Sequence, residues 1–233
     1  ARTADLVVVP TRAVAEQLAS HVVLSAERVR VVGEGVSAAL ALPGDSAERE
    51  KALGLVTPYL LTVATLEPRK GLDLLLAALA SPEAPDLPLL VVGQPGWGAV
   101  DPLAEAARAG LAPGRVRVLG RVSDPDLAVL LRRATALVVP SRAEGFGLPV
   151  LEAMAAGTPV ITSDDPALVE VGGSATWVAE EGNLAAGLRA VAEDEALRSR
   201  MRAAGLLRAQ DFSWDDAADA LWLAYADVGG SAA

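Results

Sequence analysis

The sequence predicts an α/β fold, and three observations carry that expectation. Short runs of Val and Leu ending in Gly or Pro alternate with Ala- and Leu-rich stretches of helical period, the pattern of repeated strand–helix units around a parallel sheet. Aromatic residues make up 3% of the chain and hydrophobic residues 52%, so aliphatic side chains must fill the core, which suits helices packed on a buried sheet. With 233 residues, the chain can build one large domain, or one domain and a fragment of another.

Taken in order, strands are expected at about 6–9, 29–32, 59–64, 88–92, 115–119, 136–139, 159–162 and 175–178, with helices filling most of the gaps. Gly and Pro punctuate residues 33–46 (GEGVSAALALPGDS), which lack periodicity and read as a domain boundary. Six strands then lie between residues 59 and 178, about what one Rossmann-like domain needs. The expected division is 1–40 as the tail of a preceding domain, 41–210 as the Rossmann-like domain and 211–233 as a terminal helix after a break at Asp211-Phe212-Ser213. The chain has no initiator Met and opens almost at once on a strand-like run, so a longer parent protein is expected.

A net charge of −10 argues against general affinity for nucleic acid or anionic lipid, so any anion site must be local. Cysteine is absent, which removes disulfides and thiolate metal sites. No His/Asp/Glu set has metal-ligand spacing, so no metal is expected, and the lone His21 reads as a surface residue on a helix-to-strand connection. No apolar run approaches the roughly 20 residues that span a bilayer and no signal-peptide pattern opens the chain, so the cytoplasm is the default compartment.

Residues 140–159, PSRAEGFGLPVLEAMAAGTP, combine a strand end, a Gly-rich turn and a marked helix. Pro149 suits the first helical position and Gly157 the position just past the last turn, which predicts a helix over about 149–156. Its free N–H groups point back at Gly145-Phe146-Gly147-Leu148, where two glycines let a ligand approach the backbone, a setting that attracts phosphate. Glu144 and Glu152 flank that corner; bound phosphate would repel both unless they contact hydroxyls, and sugar hydroxyls are natural partners.

After the strand at Tyr59 to Thr65 come Leu66-Glu67-Pro68-Arg69-Lys70-Gly71 and an amphipathic helix expected from about Lys70 to Ala80. Arg69 and Lys70 would then sit at a helix start, where cations oppose the helix dipole unless an anion shares the corner. The chain has 18 arginines but only two lysines, which makes a lysine here mildly notable. In Gly120-Arg121-Val122-Ser123-Asp124-Pro125-Asp126, Asp124 is placed as an N-cap.

The stretch EGFGLPVLEAMAAGTPVITSD resembles the glutamate-x7-glutamate motif of the family-4 retaining glycosyltransferases, and LEPRKGLDLLLAAL resembles their diphosphate-binding segment in the mannosyltransferase-like branch. The likeness covers nearly the whole chain: ADLVVVPTRAVAEQL and RVRVVGEGV resemble the last strand–helix–strand of the family's N-terminal domain, and FSWDDAADALWLAY its C-terminal crossover helix. The resemblance implies the C-terminal half of a GT-B fold, with the acceptor-binding N-terminal domain otherwise missing. By this likeness Glu152 holds the ribose, Glu144 meets the donor sugar, and the amides of Gly145, Phe146, Gly147 and Leu148 hold sugar and phosphate oxygens. Many members carry an arginine directly after the first strand, where this chain reads Ala64-Thr65; Thr65 then lines the site, and Arg69 and Lys70 neutralise phosphate. Val122 and Asp124 would meet the base, Asp124 as in guanine-using members; VVGQPGWG (91–98) resembles the loop after the second strand in the same branch, which implies Gly93 and Gln94 as pocket wall and Trp97 as packing.

The implied function is transfer of a sugar, GDP-mannose being the first donor expected, to an unknown glycan, lipid or small-molecule acceptor, with Glu144, Lys70 and Arg69 at the reacting end. No cofactor is implied beyond the nucleotide-sugar substrate, and membrane association of the parent protein is left open. The alternatives are a non-catalytic nucleotide-sugar-binding module, a glucan synthase and a nucleotide-sugar epimerase.

Overall fold

The computed structural model describes residues 3–180 and 182–230, so the ends of the outer two expected segments, 1–2 and 231–233, lie outside the described residues. Eight strands run β1 (Val7–Val9), β2 (Val29–Val31), β3 (Leu60–Val63), β4 (Leu89–Val92), β5 (Val116–Gly120), β6 (Ala136–Val139), β7 (Val160–Ser163) and β8 (Trp177–Ala179). The helices are α1 (Arg12–His21), α2 (Ser46–Ala52), α3 (Leu72–Ala80), α4 (Pro102–Arg108), α5 (Asp124–Arg133), α6 (Leu148–Ala155), α7 (Pro166–Gly172), α8 (Leu184–Glu193), α9 (Glu195–Ala209) and α10 (Trp214–Gly230). Each expected strand is present to within two residues. His21 closes α1 rather than lying on the following connection, and it is exposed.

β1 and β2 pair in a separate two-stranded parallel sheet, while the other six strands form one parallel sheet in the order β5-β4-β3-β6-β7-β8. Its central strands read as continuous Leu/Val runs because both faces are covered. On one face Tyr59, Leu61, Leu137 and Val139 pack with Leu151 and Met154 of α6; on the other Leu60, Leu89, Ala136 and Val138 pack with Leu75 and Leu79 of α3 and Leu188 of α8. Each fully buried Leu of this kind is worth about 1.5–3 kcal/mol over its exposed state, so the two layers fix the sheet and with it the strand ends.

The strand order reverses between β3 and β6. From β3 the chain proceeds outward through β4 to β5, then returns to the other side of β3 and runs outward through β6, β7 and β8. The loops that leave β3 and β6 therefore diverge onto opposite faces and open a crevice at the carboxyl edge, the place where open α/β sheets take ligands. At the far end, α10 folds back on the small sheet, with Arg30 Nη2 3.1 Å from Asp227 Oδ2.

Candidate active site

The β6–α6 loop forms one wall of that crevice. α6 starts one residue earlier than expected, at Leu148, with Pro149 in its first turn and no side chain capping it. Gly147 supplies the turn at φ 95°, and a Cβ there would stand 2.5 Å from Leu168 Cδ2, so only glycine fits. A Cβ on Gly145 would meet only Pro10, at 3.7 Å, which leaves that backbone open to approach. Phe146 turns its ring inward, 4% exposed and edge-on to Phe212 at 5.7 Å between centroids. What Phe146 can offer a ligand is its amide. Leu148 is partly buried against the core.

The opposite wall differs from expectation. Residues 70–80 are not one helix: Pro68–Lys70 form a 3-10 turn, Gly71 follows at φ 67°, and α3 begins at Leu72. The cause is close approach, since a Cβ on Gly71 would stand 2.0 Å from the Pro140 carbonyl oxygen. Arg69 and Lys70 therefore project from a turn pinned to the β6 loop, whose Arg142 N–H donates to the Arg69 carbonyl at 2.7 Å. Nor are these cations waiting for an anion. Lys70 Nζ donates to both carboxylate oxygens of Glu144, at 2.6 and 2.8 Å. Arg69 donates to Glu67 at 2.8 Å and to the Ala143 carbonyl at 3.1 Å, with a longer contact to Glu144 at 3.5 Å. The side chains of Lys70 and Glu144 are only 14% and 8% exposed, so the pair is largely withdrawn from water.

Glu152, on α6, has the opposite surroundings. Burial and, second, the negative charge of Asp124 push its carboxyl up to about 7. Asp124 is exposed at the start of α5, but the cap of that helix is Ser123, whose hydroxyl accepts from the Asp126 N–H at 3.3 Å. Serine takes the cap although Pro125 then falls at the second helical position, because its hydroxyl both accepts from the Asp126 N–H and donates to Asp126 Oδ2 at 2.6 Å, a reciprocal pair three residues apart. Val122 is partly buried against the main core. Gly93 ends β4 where a Cβ would lie 1.8 Å from the Ala64 carbonyl oxygen; the loops after β3 and β4 meet backbone to backbone, beside the half-buried Thr65. Trp97 does not pack as expected, since 61% of it is exposed. Its neighbours Gly96 and Gly98 take the close contacts with Glu67 and Pro68 instead. Among the described residues no group of three acidic or histidine side chains is placed to hold a metal ion.

These residues all stand beyond the carboxyl ends of β5, β4, β3 and β6, four neighbours in the sheet. The sequence profile of the family described as glycosyl transferases group 1 matches residues 45–208. The chain belongs to that family. The matched span holds the whole six-stranded sheet and the crevice. Among its relatives, O-antigen chain mannosyltransferase B of Escherichia coli is 38% identical over 164 residues, covering 68% of this chain and 43% of that protein. D-inositol 3-phosphate glycosyltransferase 1 of Catenulispora acidiphila is 36% identical over 240 residues, covering 95% of this chain and 57% of that protein. The chain thus spans about half the length of the curated relatives it matches. Among solved structures, sucrose-phosphate synthase from Thermosynechococcus elongatus superposes with a TM-score of 0.82 at 27% identity, over 99% of this chain and 60% of that one. Anabaena HepE in complex with UDP and glucose gives 0.81 at 23% identity, over 98% and 64%, which places this group 1 chain in the same GT-B fold.

Several residues that shape the crevice are not singled out by the sequence. Ser141, 2% exposed, donates to Glu144 Oε1 at 2.7 Å, and the Glu144 N–H donates to Asp165 Oδ2 at 3.3 Å. Thr11 caps α1 and also donates to the Gly145 carbonyl at 2.9 Å. Glu170 receives the first N–H groups of α1, from Arg12 and Ala13, both at 2.9 Å. The small N-terminal sheet and its helix are thereby fastened to the loop that carries Glu144. A helix-capping Thr before Arg12 is readable locally, but its second bond joins residues 134 positions apart, and no local signal gives that.

Proposed function

We propose that this chain is the donor-binding half of a retaining glycosyltransferase that takes GDP-mannose and transfers its sugar to an acceptor held by a preceding domain, of which residues 1–40 are the end. The observation that carries the reading is the meeting of Lys70, Arg69 and Glu144 in the crevice at the strand-order reversal, under the uncapped start of α6. As the glycosidic bond breaks, negative charge grows on the leaving diphosphate; Arg69, the amides near Leu148 and Lys70, once its bonds to Glu144 give way, supply donors to that charge. Glu152 takes the ribose hydroxyls and Glu144 the sugar. Asp124, exposed beside Glu152, faces the base, and a carboxylate there favours guanine, which offers two adjacent N–H donors where uracil offers one. The relationship to O-antigen chain mannosyltransferase B supports mannose as the sugar.

The test is calorimetry of this chain with GDP, UDP, GDP-mannose and UDP-glucose, paired with thermal melts, since a ligand that binds only the native state raises the melting temperature. GDP and GDP-mannose are expected to bind best. No heat and no shift with any of the four at millimolar concentration would remove the donor-site reading, and tighter binding of the uridine pair would reverse the choice of base.

A further inference from the structure

We infer that Glu144 is an internal counter-ion that the donor's diphosphate must displace, and that this exchange lets the site prefer an intact nucleotide sugar over the nucleoside diphosphate left after transfer. The inference rests on the reading of the crevice as a donor site and adds a role to it. Lys70 has three N–H donors, and two of them are held by the oxygens of one carboxylate at 2.6 and 2.8 Å. A phosphate oxygen reaching Nζ at a similar distance would stand a few ångströms from Glu144, and two anions that close in a site so shielded from water repel strongly. Ser141, whose hydroxyl also bonds Oε1 at 2.7 Å, does not oppose the change, because a hydroxyl rotor follows the carboxylate as it swings.

The freed carboxylate then needs donors. With Lys70 turned to phosphate, the contacts left to Glu144 are Ser141 and the distant Arg69 at 3.5 Å, too few for a charged group with about four lone-pair sites. Adjacent hydroxyls of a bound hexose supply what is missing. A nucleoside diphosphate without the sugar supplies nothing, so Glu144 competes to return to Lys70. The intact donor is held, and the spent nucleotide is expelled by the same side chain.

The experiment compares this chain with E144Q by calorimetry, using GDP, GDP-mannose and inorganic pyrophosphate. Glutamine keeps the shape and the Ser141 contact but removes the competing charge. E144Q should bind GDP and pyrophosphate roughly tenfold or more tightly than the parent, the scale of one charge-assisted hydrogen bond, while its affinity for GDP-mannose rises less or falls. Because the chain has only two lysines, Lys51 and Lys70, isotope-labelled lysine NMR of the parent gives a second readout that needs no variant. Pyrophosphate should shift the Lys70 side-chain signals and leave those of Lys51, on α2, in place. If the parent binds GDP and E144Q binds it no tighter, the counter-ion role is wrong and the donor site stands. If Lys70 signals stay unmoved under saturating GDP, the exchange does not occur. If neither protein binds any of the three, the donor-site reading fails and this inference falls with it.

Discussion

The two glutamates of the β6–α6 segment share a residue type, a strand-to-helix connection and a crevice edge, yet their electrostatics are opposite. Glu144 is nearly closed off from water but held by a lysine at 2.6 Å, a serine at 2.7 Å and a more distant arginine. Glu152 is partly buried beside the acidic Asp124, and its carboxyl is pushed up to about 7. Burial alone therefore does not decide whether a carboxylate keeps its charge; the partner does. The first glutamate is stabilising in the empty site and becomes costly when a rival anion arrives. The second is costly in the empty site and is relieved when hydroxyl donors arrive.

The sharpest way to break this comparison is to remove the cation. A pair of charges at a bare helix start would lose nothing by Lys70→Ala, but here the change strands Glu144 in a protected site with only Ser141 and the more distant Arg69. Leaving one partner of a buried ion pair unpaired costs about 3 kcal/mol, so Lys70→Ala should lower apo stability by that scale in denaturant melts. The double variant Lys70→Ala/Glu144→Gln should recover most of it. GDP affinity should fall far more than guanosine affinity, and turnover of a full-length enzyme should lose ~2–4 kcal/mol of transition-state stabilisation. Equal stability of parent and Lys70→Ala would show that the pair contributes nothing.

The next effect comes from Glu152 and depends on pH. Its folded-state value, about 7, lies above the ordinary 4.5, so between those values the native state binds more protons than the unfolded one. Stability then falls as pH rises through that window. Glu152→Gln should therefore leave stability unchanged below pH 4 and raise it by up to about 3 kcal/mol at pH 8. The same substitution should weaken nucleotide binding at pH 8, where the ribose would meet a carboxylate. In the parent, nucleotide affinity should drop as pH falls from 8 to 6. Melts and calorimetry across that range check both signs; a Glu152→Gln variant no more stable than the parent at pH 8 would mean the carboxylate is better solvated than its surroundings indicate.

Much of this arrangement was legible in the sequence because periodicity and punctuation are local. The eight strands, the Gly147 turn, the helix carrying Glu152 and the basic pair after β3 follow from runs of Val and Leu, from Gly and Pro, and from the motif spacing. The strand order was not legible, since nothing local says that β6 returns beside β3, and that return is what brings Glu144 to Lys70 across 74 positions. The helix expected from Lys70 starts only at Leu72 because the obstacle at Gly71, the Pro140 carbonyl, is remote in sequence. Trp97, for which the likeness of its loop implies packing, stays exposed, while the neighbouring glycines take the close contacts. Ser123 rather than Asp124 caps α5 because its hydroxyl pairs with both the N–H and the carboxylate of Asp126.

The smallest predicted effect bears on Asp124, and it separates local from long-range charge. Asp124→Asn removes an acid from the first turn of α5, where the helix dipole favours it by about 0.3–1 kcal/mol. It also removes the second of the two influences that raise the Glu152 carboxyl. The two consequences have opposite signs above neutral pH: the helix loses its favourable acid, while Glu152 becomes less costly to ionise. Near pH 8 they should nearly cancel, leaving stability within about 0.5 kcal/mol of the parent, whereas near pH 5, where Glu152 is protonated, the dipole loss should stand alone and the variant should be slightly less stable. Binding gives the independent half of the test. If Asp124 faces the base, the ratio of GDP to UDP affinity should narrow in the variant, because an amide offers guanine a single good acceptor in place of a charged one. An unchanged ratio with the expected stability pattern would confine Asp124 to the helix and to Glu152, and would move base recognition to backbone groups near Val122.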